Sequence, residues 1–204
     1  MKLYNYNSYE EYVAAQIEGN VRKLANSYVD PVSLSGLVGH LYEEYNLKPS
    51  TIICHGTRRG LEQQYFLDIY SKLDVSPNVI GTEISHTANQ FPNTIQWDFH
   101  NVKPEWINAI DLIYSNSFDH SYKPTECLRS WMSCLSDNGI CVLEYSEVCD
   151  TKSGITDPFG ASLEEYKEFI SKDYNILEIL NNSGLEDLGE SYKGVRYYIL
   201  ISRK

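Results

Sequence analysis

The chain has little positive charge and contains no run rich in lysine and arginine. Its 17 basic residues are outnumbered by 28 acidic residues, which gives a formal net charge of −11. Because phosphate backbones and anionic lipid headgroups are bound by basic surfaces, we expect neither a nucleic-acid partner nor a membrane partner. The composition favours a small neutral or cationic substrate, or a glycan, and the 17 tyrosines supply rings that can stack on sugars.

The five cysteines are scattered and form no CxxC pair. Such an odd set indicates reduced thiols rather than a disulfide framework. The first residues lack the apolar core of a signal peptide, and no apolar run approaches the length of a membrane span. We therefore expect a soluble, cytoplasmic protein, and 204 residues suffice for one domain.

Helical and strand-like segments alternate through most of the sequence. Two helices are predicted first, from a capping box at Ser8 and Glu11 to about residue 27, and from Asp30 to about residue 45. Seven strand-like runs follow, at 51–54, 79–83, 94–96, 111–115, 139–145, 176–181 and 196–202. Helical stretches lie between most of them, at 60–73, 104–108, 122–135 and 162–172. This alternation predicts a parallel sheet covered on both faces, with the last two runs adding an antiparallel edge hairpin.

A glycine-punctuated loop, Gly56-Thr57-Arg58-Arg59-Gly60, follows the first strand-like run. It departs from the GxGxxG pattern because Arg58 stands at the middle glycine position. A closely held pyrophosphate usually needs that glycine, so the loop disfavours a dinucleotide and favours an adenosine-bearing cofactor without phosphates. The alternative interpretation is a plain turn between a strand and a helix.

Acidic residues stand at the ends of the next two strand-like runs. Glu83 ends an apolar run just before Ile84, where a carboxylate can accept hydrogen bonds from both hydroxyls of a ribose. Asp98 can accept a hydrogen bond from an adenine amino group, and the neighbouring Phe99 can cover the ring. The alternatives are a solvated Glu83 and an Asp98 that caps a turn.

Polar side chains crowd the segment after the fourth run, at the sheet edge where open α/β folds bind ligands. Asn116, Asp119 and His120 are the candidates, with His120 as a general base near neutral pH and Asp119 supporting it. Equally, Asp119 or Ser121 could cap the following helix and leave His120 solvated.

Further acids follow the fifth run, at Glu144, Glu147 and Asp150. Together with Asn116 and Asp119 they could bind a divalent cation through oxygen ligands. An acidic rim in an acidic protein explains them as well, and we predict no metal site.

Together these motifs resemble those of the class I S-adenosylmethionine-dependent methyltransferases, over about residues 50–145. ICHGTRRG resembles the family's first motif, NVIGTEI its ribose motif, QWDF its adenine motif and DLIYSNSFDH its fourth-strand motif. SWMSCLSDNGICVLE resembles the stretch before the family's fifth strand. The sequence departs from the family at Cys54, where an acid usually precedes the first glycine, and at Arg58, where the family has its second glycine.

The resemblance implies S-adenosylmethionine as the cofactor and a Rossmann-like, doubly wound, mostly parallel seven-stranded α/β sheet. One domain would then span residues 1–204, with a helical cap at 1–48 and a cofactor-binding core at 49–204. The methionine part would lie near Gly56, Thr57, Arg58 and Gly60. The ribose would lie on Glu83 beside Ile84, the adenine on Asp98 and Phe99, and the reacting sulfonium near Asn116.

The GTRRG and SNSFDHSY segments are also similar to small sugar O-methyltransferases, including methyltransferase domains of glycan-building proteins in large algal viruses. This similarity implies methyl transfer to a sugar hydroxyl, with His120 as the base and Asp119 orienting it, in a domain of a longer polypeptide. The two N-terminal helices and the long loop at 146–161, a candidate lid, would form the acceptor wall. A non-catalytic partner-binding module and an NAD-dependent dehydrogenase are the alternatives.

Overall fold

The computed structural model describes residues 1–182 and 195–204. The α-helices in this part of the chain are α1 (Tyr9–Arg22), α2 (Pro31–Glu44), α3 (Leu61–Ser71), α4 (Pro124–Cys134) and α5 (Leu163–Ser171). The strands are β1 (Lys2–Leu3), β2 (Thr51–His55), β3 (Asn78–Glu83), β4 (Thr94–Gln96), β5 (Ile110–Ser115), β6 (Leu135–Ser146), β7 (Phe159–Gly160), β8 (Asn175–Asn181) and β9 (Arg196–Ser202). Short 3₁₀ helices lie at His86–Gln90, Pro104–Trp106 and Phe118–His120.

The main sheet has seven strands in the order β4-β3-β2-β5-β6-β9-β8. Strands β2 to β6 pair in parallel, and β9 pairs antiparallel with both β6 and β8. The strand order reverses between β2 and β5, which is where open α/β sheets form a ligand crevice. This topology confirms the predicted doubly wound sheet with an antiparallel edge hairpin. The connection of that hairpin, 183–194, lies outside the described residues.

Apolar side chains that alternate along the strands form two hydrophobic cores, one on each face of the sheet. On β2, Ile53 packs in the same core as Trp131 of α4. Its neighbour Ile52 lies in the opposite core with Leu37 of α2 and Phe66 of α3. Burying each such side chain fully contributes about 1.5–3 kcal/mol to the stability of the fold, which holds helices against both faces of the sheet. The carboxyl edge of the sheet is left open.

The helix α2 begins where the sequence predicts, but it packs against the sheet. Asp30 caps it by accepting hydrogen bonds from the backbone of Val32 and Ser33, at 3.2 and 2.8 Å. Its buried face, including Leu34 and Leu41, belongs to the core against the sheet. The prediction that both N-terminal helices form the acceptor wall is therefore wrong for α2, because its apolar stripe is used in covering the sheet.

Several predicted element boundaries also shift. The segment predicted as a helix at 104–108 is a single 3₁₀ turn, because Asn108 adopts a left-handed backbone (φ 55°) and donates its N–H to the Ser133 carbonyl at the end of α4. Ser8 caps α1 as predicted, but the Glu11 carboxylate accepts from the backbone of Asn7 rather than completing the box. The short pairing of β1 with β7 was not predicted, since two-residue strands carry no periodicity.

Among the described residues, no helix combines the length and apolar character needed to cross a bilayer.

Candidate active site

A cleft opens at the carboxyl edge of the sheet, where the strand order reverses. The loops after β2 and β5 are tied together there, since Ser115 donates a 3.0 Å hydrogen bond to the His55 carbonyl and Ser117 donates one of 3.2 Å to the Gly56 carbonyl. The cleft has a narrow part of about 60 Å³ and a wide part of about 310 Å³. The two parts share wall residues Lys23, Gly56, Arg58, Ser117 and His120, so they adjoin each other.

The narrow part of the cleft is aromatic. Tyr12, Trp97 and Phe99 line it together with Glu83 and Ile84. Of the predicted site residues, this part brings together Gly56, Arg58, Glu83, Ile84, Phe99 and His120. Aromatic faces beside one carboxylate suit a flat heterocycle that carries hydroxyl groups.

The wide part of the cleft is charged. Arg59, Glu62 and Lys152 line it, and so does Asp157 from the loop between β6 and β7. Predicted site residues in this part are Gly56, Thr57, Arg58, Asn116, Asp119 and His120. Gly60 lines neither part and instead caps α3 with a left-handed backbone (φ 77°).

In the glycine loop, Arg58 stands where the GxGxxG pattern has its middle glycine. Gly56 has a φ of 72° and Arg58 a φ of 50°, so the arginine adopts the left-handed conformation that a glycine would favour. The Arg58 guanidinium lies over the Tyr28 ring, 4.3 Å from its centroid. This cation–π contact offsets a backbone cost of about 1–2 kcal/mol, so Arg58 leaves the loop conformation intact.

Glu83 fastens the end of β3 to the glycine loop. One carboxylate oxygen accepts the Arg58 backbone N–H at 3.1 Å, and the other accepts that of Ser85 at 3.0 Å. Burial raises the pKa of Glu83, while these backbone donors and the nearby charges of His120 and Arg58 oppose the rise. The carboxylate is held rigidly between the aromatic part of the cleft and the loop.

Asp98 lies behind the cleft rather than in its wall. One of its oxygens accepts the His100 backbone N–H at 2.9 Å and contacts His100 Nδ1 at 2.7 Å. The other accepts from the Tyr9 hydroxyl at 2.7 Å. Burial alone would raise the pKa of Asp98, but the contacts with His100 hold it below its usual value. Its predicted neighbour Phe99 does line the cleft, with Trp97 beside it.

His120 is oriented by a residue that the sequence reasoning missed. Its Nδ1 lies 2.9 Å from Gln16 Oε1, and Gln16 Nε2 donates to the Thr156 carbonyl at 3.0 Å. Because that second bond fixes the amide, Nδ1 carries the proton and Nε2 keeps a free electron pair. The stripe Tyr12, Gln16, Asn20 at intervals of four on α1 was the sequence signal that could have revealed this contact.

Two carboxylates face the basic nitrogen of His120. Asp157 Oδ1 lies 3.5 Å from Nε2 and Asp119 Oδ1 lies 3.9 Å from it. Asp119, predicted to support His120, is at this distance an ionic neighbour of the ring rather than a hydrogen-bond partner. Burial raises the pKa of Asp119, and the proximity of His120 opposes that rise.

Among the described residues, Glu144, Glu147 and Asp150 belong to no cluster of potential metal-ligand atoms. Glu144 is buried and bonded to Arg196 at 2.8 Å and to the Tyr114 hydroxyl at 2.5 Å. Potential ligand atoms of Asp119, His120 and Asp157 instead lie within 4.8 Å of one another.

The predicted lid loop at 146–161 contributes to the cleft wall and is hydrogen-bonded to the N-terminal segment. The Tyr6 hydroxyl donates to the Ile155 carbonyl at 2.6 Å, and the Tyr4 backbone N–H donates to the Pro158 carbonyl at 2.8 Å. Gln16 holds Thr156 between these two contacts. The loop thus brings Thr156 and Asp157 into the wall of the site.

No protein-family model matches the sequence, and no curated protein sequence matches it either. Solved structures do share its fold. The 1,6-didemethyltoxoflavin-N1-methyltransferase of Burkholderia thailandensis, with bound 1,6-didemethyltoxoflavin and S-adenosylhomocysteine, superposes with a TM-score of 0.71 at 11% identity, over 98% of this chain and 93% of that one. The plantazolicin methyltransferase BpumL in complex with S-adenosylhomocysteine gives 0.64 at 15% identity, over 96% of each chain.

The same fold also occurs in a structure named for another reaction. The [4+2]-cyclase SpnF superposes with a TM-score of 0.61 at 9% identity, over 95% of this chain and 94% of that one. Likeness at this level concerns architecture, and activity has to be argued from the site. The chain has the class I fold of the S-adenosylmethionine-dependent methyltransferases.

Proposed function

We propose that this protein is an S-adenosylmethionine-dependent O-methyltransferase that methylates a hydroxyl group of a small acceptor, with a sugar or glycan as the best candidate. One observation carries the proposal. The glycine loop, the Glu83 carboxylate at the end of β3 and the imidazole of His120 all line the adjoining parts of one cleft at the switch point of the sheet.

Successive regions of the cleft wall suit the adenine, the ribose and the methionine part of the cofactor. Trp97 and Phe99 would hold the adenine, Glu83 the ribose hydroxyls, and the loop with Asn116 the methionine part. When bound, the cofactor supplies a methyl group on a sulfonium, which is already a strong electrophile. The two methyltransferase structures named above contain S-adenosylhomocysteine, which supports the same ligand for this fold.

His120 is the proposed general base. Its Nε2 would take the proton of the acceptor's hydroxyl group, so that the oxygen could accept the methyl group that the cofactor would supply. Asp157 and Asp119, at 3.5 and 3.9 Å, favour the imidazolium that results. Gln16 keeps the ring in place, and the clasped loop helps to exclude water.

The proposed acceptor site shares the wide part of the cleft with the methionine end of the cofactor. Its walls come from the connection between α1 and α2, including Ser27 and Tyr28, and from the lid, including Lys152 and Asp157. Hydrogen-bonding groups beside an aromatic ring suit a polyhydroxylated molecule. The charge of −11 disfavours a nucleic acid, and a glycan acceptor is consistent with a domain in a larger glycan-building polypeptide.

The test is a screen for methyl transfer from S-adenosylmethionine to monosaccharides, short glycans and matched aromatic amines, followed by mass spectrometry. We expect methylated sugar products, with His120→Ala reduced by a factor of about 10²–10⁴. Parallel reactions with EDTA and with Mg²⁺ test whether the cluster of Asp119, His120 and Asp157 needs a cation. Methylation of amines alone would contradict the O-methyl assignment, and cofactor binding without transfer would favour a non-catalytic module.

A further inference from the structure

Glu62 is a buried carboxyl group in the wall of the wide part of the cleft, on the first turn of α3. It is only 6% exposed, and among the described residues it forms no ion pair. Its nearest polar contact is the Thr57 hydroxyl, 2.6 Å from Oε2. A buried carboxyl group without a cationic partner is costly when ionised, so its position beside the glycine loop needs an explanation.

The hydrogen bonds around Thr57 show which form Glu62 adopts without a ligand. Thr57 Oγ1 lies 2.6 Å from Glu62 and 2.5 Å from Gln63 Oε1, while Gln63 Nε2 donates to Thr94. A hydroxyl group has one proton and can donate to only one of these oxygens. The second contact requires a proton on Glu62. Consistently, burial raises the pKa of Glu62 to about 7.

Near Glu62, the chain lacks the acidic residue that usually precedes the first glycine in the family that its motifs resemble. Cys54 occupies that position, and burial raises the pKa of its thiol, which keeps it neutral. Arg59 lines the same part of the cleft, and its buried Nε has no hydrogen-bond partner among the described residues. A carboxyl group and a guanidinium whose Nε is unsatisfied, on one wall, suit a ligand that carries both charges.

We propose that Glu62 and Arg59 bind the amino-acid end of the cofactor, with Glu62 accepting from the α-ammonium and Arg59 donating to the α-carboxylate. The inference rests on the proposed function, which supplies the cofactor. The aromatic residues Trp97 and Phe99 attract the adenine to the other part of the cleft, so the zwitterionic end meets the charged wall. Glu62 thereby replaces the acid that is absent at Cys54.

Cofactor binding is then linked to loss of a proton. The charged and titratable groups facing Glu62 are Arg58 from the loop, Glu144 from β6, Tyr114 from β5 and Cys54 from β2. An arriving ammonium favours the ionised form of Glu62, so binding releases a proton below about pH 7. The affinity should rise by up to about tenfold from pH 6 to pH 8 through this group.

The experiment compares S-adenosylhomocysteine with 5′-methylthioadenosine, which lacks the amino-acid end, by calorimetric titration of the whole chain. At pH 8 we expect Glu62→Gln to weaken S-adenosylhomocysteine about tenfold or more and to leave 5′-methylthioadenosine within about twofold. Arg59→Gln should show the same selectivity. Asp68→Asn, an exposed acid on the same helix, is the matched control and should change neither ligand.

The outcomes separate the two proposals. If the wild type binds neither ligand, the cofactor assignment itself fails. If it binds S-adenosylhomocysteine and Glu62→Gln binds equally well with the same pH dependence, the inference about Glu62 is overturned while the proposed function stands. Equal weakening of both ligands would show that Glu62 shapes the loop rather than contacting the amino-acid end. Thermal unfolding of each variant identifies any loss of the fold.

Discussion

Gln16 on α1 holds His120 after β5, with 2.9 Å between Oε1 and Nδ1 across 104 residues of sequence. The same amide donates to Thr156, so one side chain joins the N-terminal helix, the proposed base and the lid loop. This contact fixes the tautomer of the imidazole and presents Nε2 to the cleft. It makes α1 a part of the proposed active site rather than a peripheral cap.

Substitutions at Gln16 should therefore change methyl transfer through His120. Gln16→Leu removes the acceptor for Nδ1, and we expect methyl transfer to fall about tenfold. Gln16→Glu places a carboxylate at Nδ1, which stabilises the imidazolium. The acid limb of the pH–rate profile should then move to higher pH. An unchanged profile in the Glu variant would argue that His120 is not the base.

Arg58 provides a stability test of the glycine loop. Arg58→Ala keeps the left-handed residue and loses the contact with Tyr28, whereas Arg58→Gly loses the contact but also relieves the backbone. We expect the glycine variant to be more stable than the alanine variant by about 1 kcal/mol. Urea unfolding of the two variants measures this difference. Equal stabilities would mean that the left-handed conformation at residue 58 is not strained.

The sheet could be predicted from the sequence, whereas half of the site wall could not. Strand-length apolar runs separated by helical periods specify the order of elements, and Glu83 is recognisable because it ends such a run. Contacts such as that of Gln16 with His120 join segments far apart in the chain, so the polar stripe on α1 marks the face of the helix without identifying its partner. Asp157 was predicted only as part of the lid, and its position beside His120 was missed because it depends on how a long irregular loop folds back over the sheet edge.

Gly56 should tolerate no side chain. Its φ is 72°, and an added Cβ would lie 2.7 Å from the Cβ of Ser117. We expect Gly56→Ala to lower the free energy of unfolding by about 2–3 kcal/mol and to weaken S-adenosylhomocysteine binding. Gly154→Ala is the control, because no atom lies within 4 Å of its Cβ position. Near-native stability of Gly56→Ala would contradict the close approach of these two loops.

Asp98 is expected to act on stability more than on cofactor affinity. The pKa of Asp98 is lowered in the folded protein. Its carboxylate therefore stabilises the fold at pH values above the pKa of the unfolded state, and this stabilisation is lost as the pH falls through the pKa of the folded state. Asp98→Asn should lower the free energy of unfolding at pH 7 by about 1–3 kcal/mol, with a smaller difference near pH 3. Affinity for S-adenosylhomocysteine should change by less than about threefold. A tenfold loss would instead place Asp98 on the adenine, as the sequence predicted.

The most direct test of the account is calorimetric titration of the wild-type chain and of Glu83→Ala with S-adenosylhomocysteine. Removing Glu83 deletes the acceptor for the backbone of Arg58 and Ser85 and the proposed ribose contact. We predict micromolar binding by the wild type and at least a tenfold loss in the variant, with far-UV circular dichroism confirming that both are folded. Absence of binding by the folded wild type would contradict the methyltransferase assignment.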